Sequence, residues 1–497
     1  MIRKFQEIAF IHPQILRSGN RLALKRTNKR KLACSLLLVA CCWVGVAAQI
    51  VPPPPTLDTS QNPFMGGTPA GRTTADVIDL SLGDALDRGV KYNLGLLLST
   101  QGTELARAAR LRTLSELLPN VSAHITEASE QINLLAFGIP ASFLHGISPI
   151  VGPFYLFDAR PSVTETVSVH ALRQLHAARE SLTASQLDAR NSRELVVLYV
   201  GAGYIQVLSD QARIESIKAQ LATAQSLFQQ ASDMKKAGVV AGIDVLRAQV
   251  EMQVQQQRLT AAQNDFDKAK LALARAIGLP LAQQFRLTTE APYKPNPPVT
   301  LDVALGRALG ARPDYQSALA QQRAAELALG ATTAEHLPSI QIAGDYGVLG
   351  PAINDSHGTY TASATLAIPI YAGGRVQADV VAAAAVLKER QAQVQDTRAR
   401  VEYEVRSSFL DLASASQQVQ VARDSEQLAT QQLQQARDRF AAGVTDNIEV
   451  VQAQESLAAN NLNYIDSLLA HNLAKLELAR SLGDAEIAVK QYLGGNP

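Results

Sequence analysis

The sequence predicts a mainly α-helical protein with a membrane β-barrel. The unit is a very long antiparallel helical hairpin, it occurs twice, and each copy brings two transmembrane strands, four per chain. Three observations carry this. Residues 376–442 contain neither proline nor glycine and follow a heptad seam. The same pattern recurs 205 residues earlier. Segments of strand length with period-two alternation precede each hairpin.

The seam runs through Val401, Val405, Ser408, Leu412, Ala415, Val419, Ala422, Glu426, Ala429, Leu433 and Ala436 in alternating steps of four and three. That spacing marks a supercoiled helix, and its small residues let helices approach closely. At 1.5 Å per residue the helix is roughly 100 Å long. Gly443 and the residues to Asp446 break it, and a second run returns from about Ile448 to Leu482. In the first copy Val196, Val200, Val207, Ile214, Ile217 and Leu221 lie on the equivalent seam, and Gly238 stands where Gly443 does. Upstream, Leu82, Ala85, Leu86 and Arg88 match Leu301, Ala304, Leu305 and Arg307 at an offset of 219, as Leu118-Pro119 matches Leu337-Pro338. The offset falls from 219 to 205, so the first copy carries about fourteen extra residues, which fit best in a loop from Gln131 to Phe157.

Taken in order, residues 1–48 read as a signal peptide. Nine of the chain's 46 basic residues crowd this stretch against one acid, Glu7, and an apolar run from Leu32 ends in Val46-Ala47-Ala48. A single membrane anchor is the other reading, but the run is short of the ~20 residues a spanning helix needs. Leu38-Val39-Ala40-Cys41 resembles a lipoprotein cleavage box; because the apolar run continues to Val46, cleavage after Ala48 is the favoured reading. Residues 49–78 are a Pro/Gly-rich linker. Residues 79–283 form the first repeat, with strands at about 120–130 and 161–170 and a helical hairpin over 171–279. A second linker covers 284–298. Residues 299–484 form the second repeat, with strands at about 339–349 and 359–370 and a hairpin over 376–483. Residues 485–497 are a short tail.

Ile340, Ile342, Tyr346 and Val348 alternate with polar or small residues, as do Tyr360, Ala362, Ala364 and Leu366. Strands of roughly nine to eleven residues suit a tilted barrel. Glu165 falls on the apolar side of the first copy's second strand and interrupts its alternation. Four strands cannot close a barrel, and an open edge in lipid leaves backbone groups unpaired. Several chains are therefore needed; eight strands fill their own interior, so an open conduit favours three or more chains. The hairpins, with charged residues along their length, lie outside the membrane.

Without its first 48 residues the chain is mildly acidic, which excludes nucleic acid as the expected partner. All three cysteines, Cys34, Cys41 and Cys42, lie in the signal, so no thiol chemistry is expected of the mature chain. No nucleophile elbow, phosphate loop, HExxH or dinucleotide fingerprint is present, and no cofactor is implied. The eight histidines are scattered; His471, on the seam, reads as a packed or solvated residue.

The duplicated order of helix, strands and helical hairpin resembles the TolC family of outer-membrane efflux proteins. The carrying motifs are Leu337-Pro338-Ser339-Ile340, the run Pro369-Ile370-Tyr371-Ala372-Gly373-Gly374-Arg375, and the tips Ala237-Gly238-Val239 through Asp244-Val245-Leu246 and Ala442-Gly443-Val444 through Glu449-Val450-Val451. The resemblance spans about Leu80 to Gly483. The first copy lacks the Pro-Ile-Tyr-Ala-Gly-Gly-Arg run, and His170 to Arg173 stand near its place.

The resemblance implies a homotrimer with a twelve-stranded barrel in outer-membrane lipid and a helical tunnel in the periplasm. It implies an outer-membrane channel of a tripartite efflux or type I secretion system, docked to a periplasmic adaptor and an inner-membrane pump. It also implies a tapered tip whose turns, marked by Gly238, Gly242 and Gly443, form the periplasmic aperture. Asp244, Arg247, Asp446 and Glu449 are the aperture residues, and Pro369, Gly373, Gly374 and Arg375 mark the strand-to-helix junction. Gln452 stands where the family has a further acid. As first-turn acids, Asp244 and Glu449 also complement helix dipoles. The rival expectation is a periplasmic coiled-coil adaptor without a channel.

The mature protein is expected to begin near Gln49 and to carry no lipid. Intact-mass measurement checks this, and an acylated Cys41 at the N-terminus overturns it.

Overall fold

The computed structural model describes residues 62–144, 146–289, 293, 299–442, 444–445 and 447–493, apart from the side chains of Ala141, Asn447 and residues 490–493. The proposed signal peptide, both cleavage sites, Gly443 and Asp446 lie outside the described residues.

The first copy comprises β1 (Ile78–Leu80), α1 (Leu82–Tyr92), α2 (Leu94–Ser115), β2 (Asn120–Asn133), β3 (Ile150–Ser168), α3 (Val169–Lys236), α4 (Gly242–Ala276) and β4 (Phe285–Leu287). The second comprises α5 (Leu301–Ala311), α6 (Pro313–Thr333), β5 (Ser339–Gly350), β6 (His357–Ala367), α7 (Arg375–Ala441) and α8 (Asn447–Ser481), followed by α9 (Ala485–Leu493). Helices α3 and α7 have 68 and 67 residues, so each hairpin tip stands about 100 Å from its strands.

Strands β2, β3, β5 and β6 make one antiparallel sheet in that order. Its register puts Val121, Val163, Ile340, Ile342, Val348 and Leu366 on one face, all exposed. Ser122, Ser162, Gln341, Asp345, Thr361 and Ser363 occupy the other. Two facts differ from the sequence reading. β3 begins at Ile150, not near residue 161, and ends at Ser168; the expected loop from Gln131 to Phe157 is largely the upper part of this hairpin. Glu165 stands on the apolar face opposite Ile342, as its place in the alternation implies, but the strand itself runs on, held by ladders on both sides.

The helical seams are buried. Val196, Val200, Val207, Ile214, Ile217 and Leu221 of α3 and Val401, Val405, Leu412, Ala415, Val419 and Leu433 of α7 are all in the interior. An apolar window of α3 is long enough to cross a membrane, yet half of it is buried, and Val196, Val197, Val200 and Tyr204 belong to the largest core cluster. The Tyr204 hydroxyl donates to the Leu80 carbonyl at 3.1 Å and accepts from Thr289 N at 3.1 Å, tying β1 and the end of β4 to that core. The parallel pair β1–β4 lies partly in stretches read from sequence as linkers.

Both termini of the described region are more ordered than composition suggests. Phe64 stacks on Tyr199 with centroids 5.8 Å apart, and Gly67 bridges to Asn93. In the expected tail, Ala485, Ala488 and Val489 of α9 are buried against α3 and α8. Composition alone cannot distinguish a nine-residue amphipathic helix from a polar tail.

Each copy contains the same break and the same clasp. Asn93 separates α1 from α2; its side chain accepts from Gly95 N and donates to the Phe64 and Ala276 carbonyls, and is fully buried. Arg312 separates α5 from α6, where Pro313 at the first helical turn cannot continue an upstream ladder. Against each break packs the glycine that ends the returning helix. Gly278 (φ 63°) lies on Tyr92 and the Thr68 carbonyl, and Gly483 (φ 81°) lies on the Ala311–Arg312 backbone. A Cβ at Gly278 would stand 2.5 Å from Tyr92 Cβ, so both φ and space demand glycine.

Arg312 is 1% exposed. It donates to Asp314 at 2.6 and 3.0 Å and to Glu404 on α7 at 2.5 Å, and Arg480 on α8 donates to Glu404 at 2.7 Å. Burial pushes the Asp314 carboxyl up, but Arg312 and Arg480 outweigh it and hold it below its ordinary value. His471 is buried beside Tyr293, with ring centroids 4.9 Å apart; burial lowers its pKa to about 4, so it is neutral and packed rather than solvated.

Arg312→Met takes the closest cation from the largely buried Asp314, while the partly exposed Glu404 keeps Arg480, so the loss should lie near the lower end, about 3 kcal/mol, of that for removing one member of a buried pair. Thermal unfolding followed by circular dichroism should show it. The Asp314 contribution is present above the carboxylate's unfolded pKa of about 4 and is lost as pH falls through its lower folded value. The difference between wild type and variant should therefore narrow in acid.

Candidate functional site

At the first tip, α3 ends on Lys235 and Lys236, and Gly238 takes a left-handed φ of 76° that lets Gly238 N reach Lys235 O and Val239 N reach Met234 O, both at 2.9 Å. Nothing lies within 4 Å of a Cβ placed at Gly238, so the backbone angle alone requires glycine. Gly242 opens α4, and a Cβ there would touch only the Lys235 side chain at ordinary distance. Asp244 follows in the first turn, and Arg247 Nη1 donates to it at 3.3 Å.

At the second tip, Val444 N reaches Arg439 O at 3.0 Å. Glu449, in the first turn of α8, accepts from Arg439 Nη1 at 2.8 Å and from Thr445 Oγ1. Each acid is therefore matched by an arginine of its own chain, on the same helix in the first tip and across the turn in the second. Arg439 was not singled out from sequence. Its signal was its place in the last turn of α7, where a cation complements the helix dipole. Val239, Ile243, Leu246 and Val444 leave an exposed apolar rim at the same end.

At the strand-to-helix junction of the second copy, β6 stops at Ala367 before Pro369, and consecutive glycines at φ 63° and 82° turn the chain into α7. Both need glycine for the angle, since nothing surrounds either Cβ position. Arg375 then pairs with Glu335 and Asp379, each at 2.9 Å. The first copy has no such turn. Ser168 ends β3 and caps α3 directly, accepting from Ala171 N at 3.1 Å. His170 Nδ1 lies 2.9 Å from the Ala331 carbonyl, and Arg173 donates to the Gly330 carbonyl at 2.7 Å. Both copies are thus fastened to the end of α6, one through an ion pair and one through carbonyls.

On the polar face of the sheet, Arg160 of the first copy pairs with Asp158 at 2.6 Å and with Asp345 of the second at 2.9 Å. A Cβ at Gly347 would stand 2.3 Å from Arg160 Cβ, so that glycine makes the approach possible. Among the described residues no group of His, Cys, Asp and Glu could hold a metal.

The geometry is that of two hairpin tips far from a sheet with a lipid-like face. The profile of the outer membrane efflux protein family matches residues 170–279 and 304–484, more than half of the chain. The chain belongs to this family. Outer membrane protein OprJ of Pseudomonas aeruginosa is 23% identical to this efflux protein over 435 residues, covering 82% of the chain and 85% of OprJ. The probable outer membrane lipoprotein SilC of Salmonella typhimurium is 25% identical over 328 residues, 62% of the chain and 67% of SilC. Among solved structures, the CmeC outer membrane channel of Campylobacter jejuni matches with a TM-score of 0.71 at 16% identity, over 85% of this chain and 92% of that one. VceC of Vibrio cholerae matches with a TM-score of 0.69 at 16% identity, over 81% and 96%. The fold is that of these channels. The protein is an outer-membrane efflux protein, and the adaptor reading is set aside.

Proposed function

We propose that three copies of this efflux protein close a twelve-stranded barrel in the outer membrane and continue it as a helical tunnel through the periplasm. Substrate passes through passively, delivered by a periplasmic adaptor and an inner-membrane pump. One observation carries this reading. The sheet is apolar and exposed on one face and polar on the other, and its outer strands β2 and β6 have no partner within the described chain. Lipid tolerates such a face but not such edges, and neighbouring copies are the simplest source of the missing strands. In this reading the tips carrying Gly238, Gly242 and Gly443 surround the periplasmic aperture, with Asp244, Arg247, Asp446 and Glu449 beside the opening. The junction at Pro369, Gly373, Gly374 and Arg375 turns each barrel strand into the tunnel.

Purified in detergent, the protein should be a trimer by light scattering. A monodisperse monomer, or a water-soluble form stable without detergent, would rule this out.

The aperture assignment has its own test in planar bilayers. Replacing both Asp244 and Glu449 with Ala should reduce cation preference and block by multivalent cations, whereas replacing Glu215 at mid-helix should not. Arg247→Ala should raise resting conductance. Without Arg247 the three Asp244 carboxylates repel by about 0.4 kcal/mol per pair at ~10 Å, and the three pairs together shift the closed-to-open ratio roughly tenfold. Unchanged selectivity in the double variant would leave the two acids as helix-start residues only.

A further inference from the structure

The first copy's strand hairpin is taller than the second's. β3 pairs with β5 only as far as Phe157 opposite Gly350, while β2–β3 pairing continues to Asn133 opposite Ile150. Seven residues of β3 therefore rise past the rest of the sheet, about 23 Å at 3.3 Å per residue. The sheet below is already sufficient for the membrane: twelve residues of β5, tilted about 40°, exceed the ~25 Å apolar band of a barrel. The β5–β6 loop at that level is short, with Ile353 exposed beside Asn354, Asp355 and Ser356. The taller hairpin thus stands beyond the lipid.

Its tip is nonetheless apolar. Leu135, Phe137, Phe143 and Ile147 are 46–73% exposed. Below them, Phe154, Leu156 and Leu349 sit on the face that continues the polar side of Arg160 and Ser162, so the sheet's inner face turns partly apolar towards its outer end. An apolar surface of this kind, out of reach of lipid and with four exposed apolar side chains against the single Ile353 of the neighbouring loop, marks a protein contact.

We propose that this hairpin is an external lid, whose tip meets the same tips of two further copies over the mouth of the barrel. The inference rests on the trimeric reading above. Twelve strands about 4.8 Å apart and tilted about 40° enclose a backbone radius of about 12 Å. A 23 Å extension is longer than that radius, so three hairpins leaning inward reach one another on the axis. Apolar contact is non-directional and of small area here, so the tips part when cargo presses from within and rejoin behind it. The lid restricts entry from outside independently of the periplasmic aperture.

The mature chain carries no native thiol when cleaved after Ala48, so single introduced cysteines report alone. Phe143→Cys, oxidised with copper phenanthroline in the membrane, should give disulfide-linked pairs of subunits, and Asn354→Cys on the shorter loop should not. Thr361→Cys, on the polar face opposite Asp345, should react slowly with a bulky maleimide-polyethylene glycol added to intact cells. Changing Phe137, Phe143 and Ile147 together to Ser should speed that labelling roughly tenfold, the effect of losing about one buried phenylalanine's contact. Light scattering on each variant reports assembly separately. A trimer that neither cross-links through residue 143 nor labels faster in the serine variant overturns the lid and leaves the trimer standing. A monomer overturns both.

Discussion

Two strand edges left without partners among the described residues constrain everything else in this protein. β2 and β6 bound a sheet whose exposed face is apolar, and in hydrocarbon an unpaired backbone amide or carbonyl costs several kcal/mol. The sheet can neither stand alone in lipid nor hide its apolar face in water. Joining the two copies through β3 and β5 removes two of the four edges within one chain, and Arg160, reaching Asp345 across that seam, fixes which residues face which. A one-residue slip there would turn the apolar set inward.

The helical part answers a different requirement: two helices about 100 Å long must leave the sheet side by side. Long seams of alanine and valine bring helices together but allow sliding, since one small residue resembles the next. The clasp near the start of each hairpin supplies the missing register. A returning helix ends in a left-handed glycine that fits only against the break of the short helices. The two copies complete that clasp with different chemistry. Asn93 satisfies its break by neutral hydrogen bonds to carbonyls, and Arg312 does so by a buried ion network reaching α7 and α8. Equivalent geometry with unlike side chains explains why the duplication is visible in spacing more than in identity.

That contrast also explains what was legible. Heptad steps are long-range and redundant, so the seams from Val196 and Val401 could be read from spacing. β3 was misjudged because Phe154, Leu156 and Phe157 put apolar residues on both faces above the membrane level, which erases period two where the strand leaves lipid. α9 and the Phe64–Tyr199 stack were missed because each is a short element stabilised by residues far away in sequence. The tip acids were legible by position. Their partner Arg439 was not, since a contact across a turn, between residues ten apart, has no period to betray it.

In the proposed trimer, the pairing changes how a closed aperture can be understood. Bare carboxylates 10 Å apart repel by about 0.4 kcal/mol per pair in water, and an aperture ringed by several would resist closure. An arginine bonded to each acid turns a ring of charges into a ring of dipoles, whose mutual repulsion falls off much faster with distance. Salt screens the remainder within about 8 Å. With Asp244 held by Arg247 and Glu449 by Arg439, repulsion does little to oppose closure, and the exposed apolar rim of Val239, Ile243, Leu246 and Val444 can favour it. In that proposed trimer, opening would depend on moving one helix of a hairpin relative to the other. Of the two pairs, only Arg439–Glu449 spans both helices and must adjust to that motion.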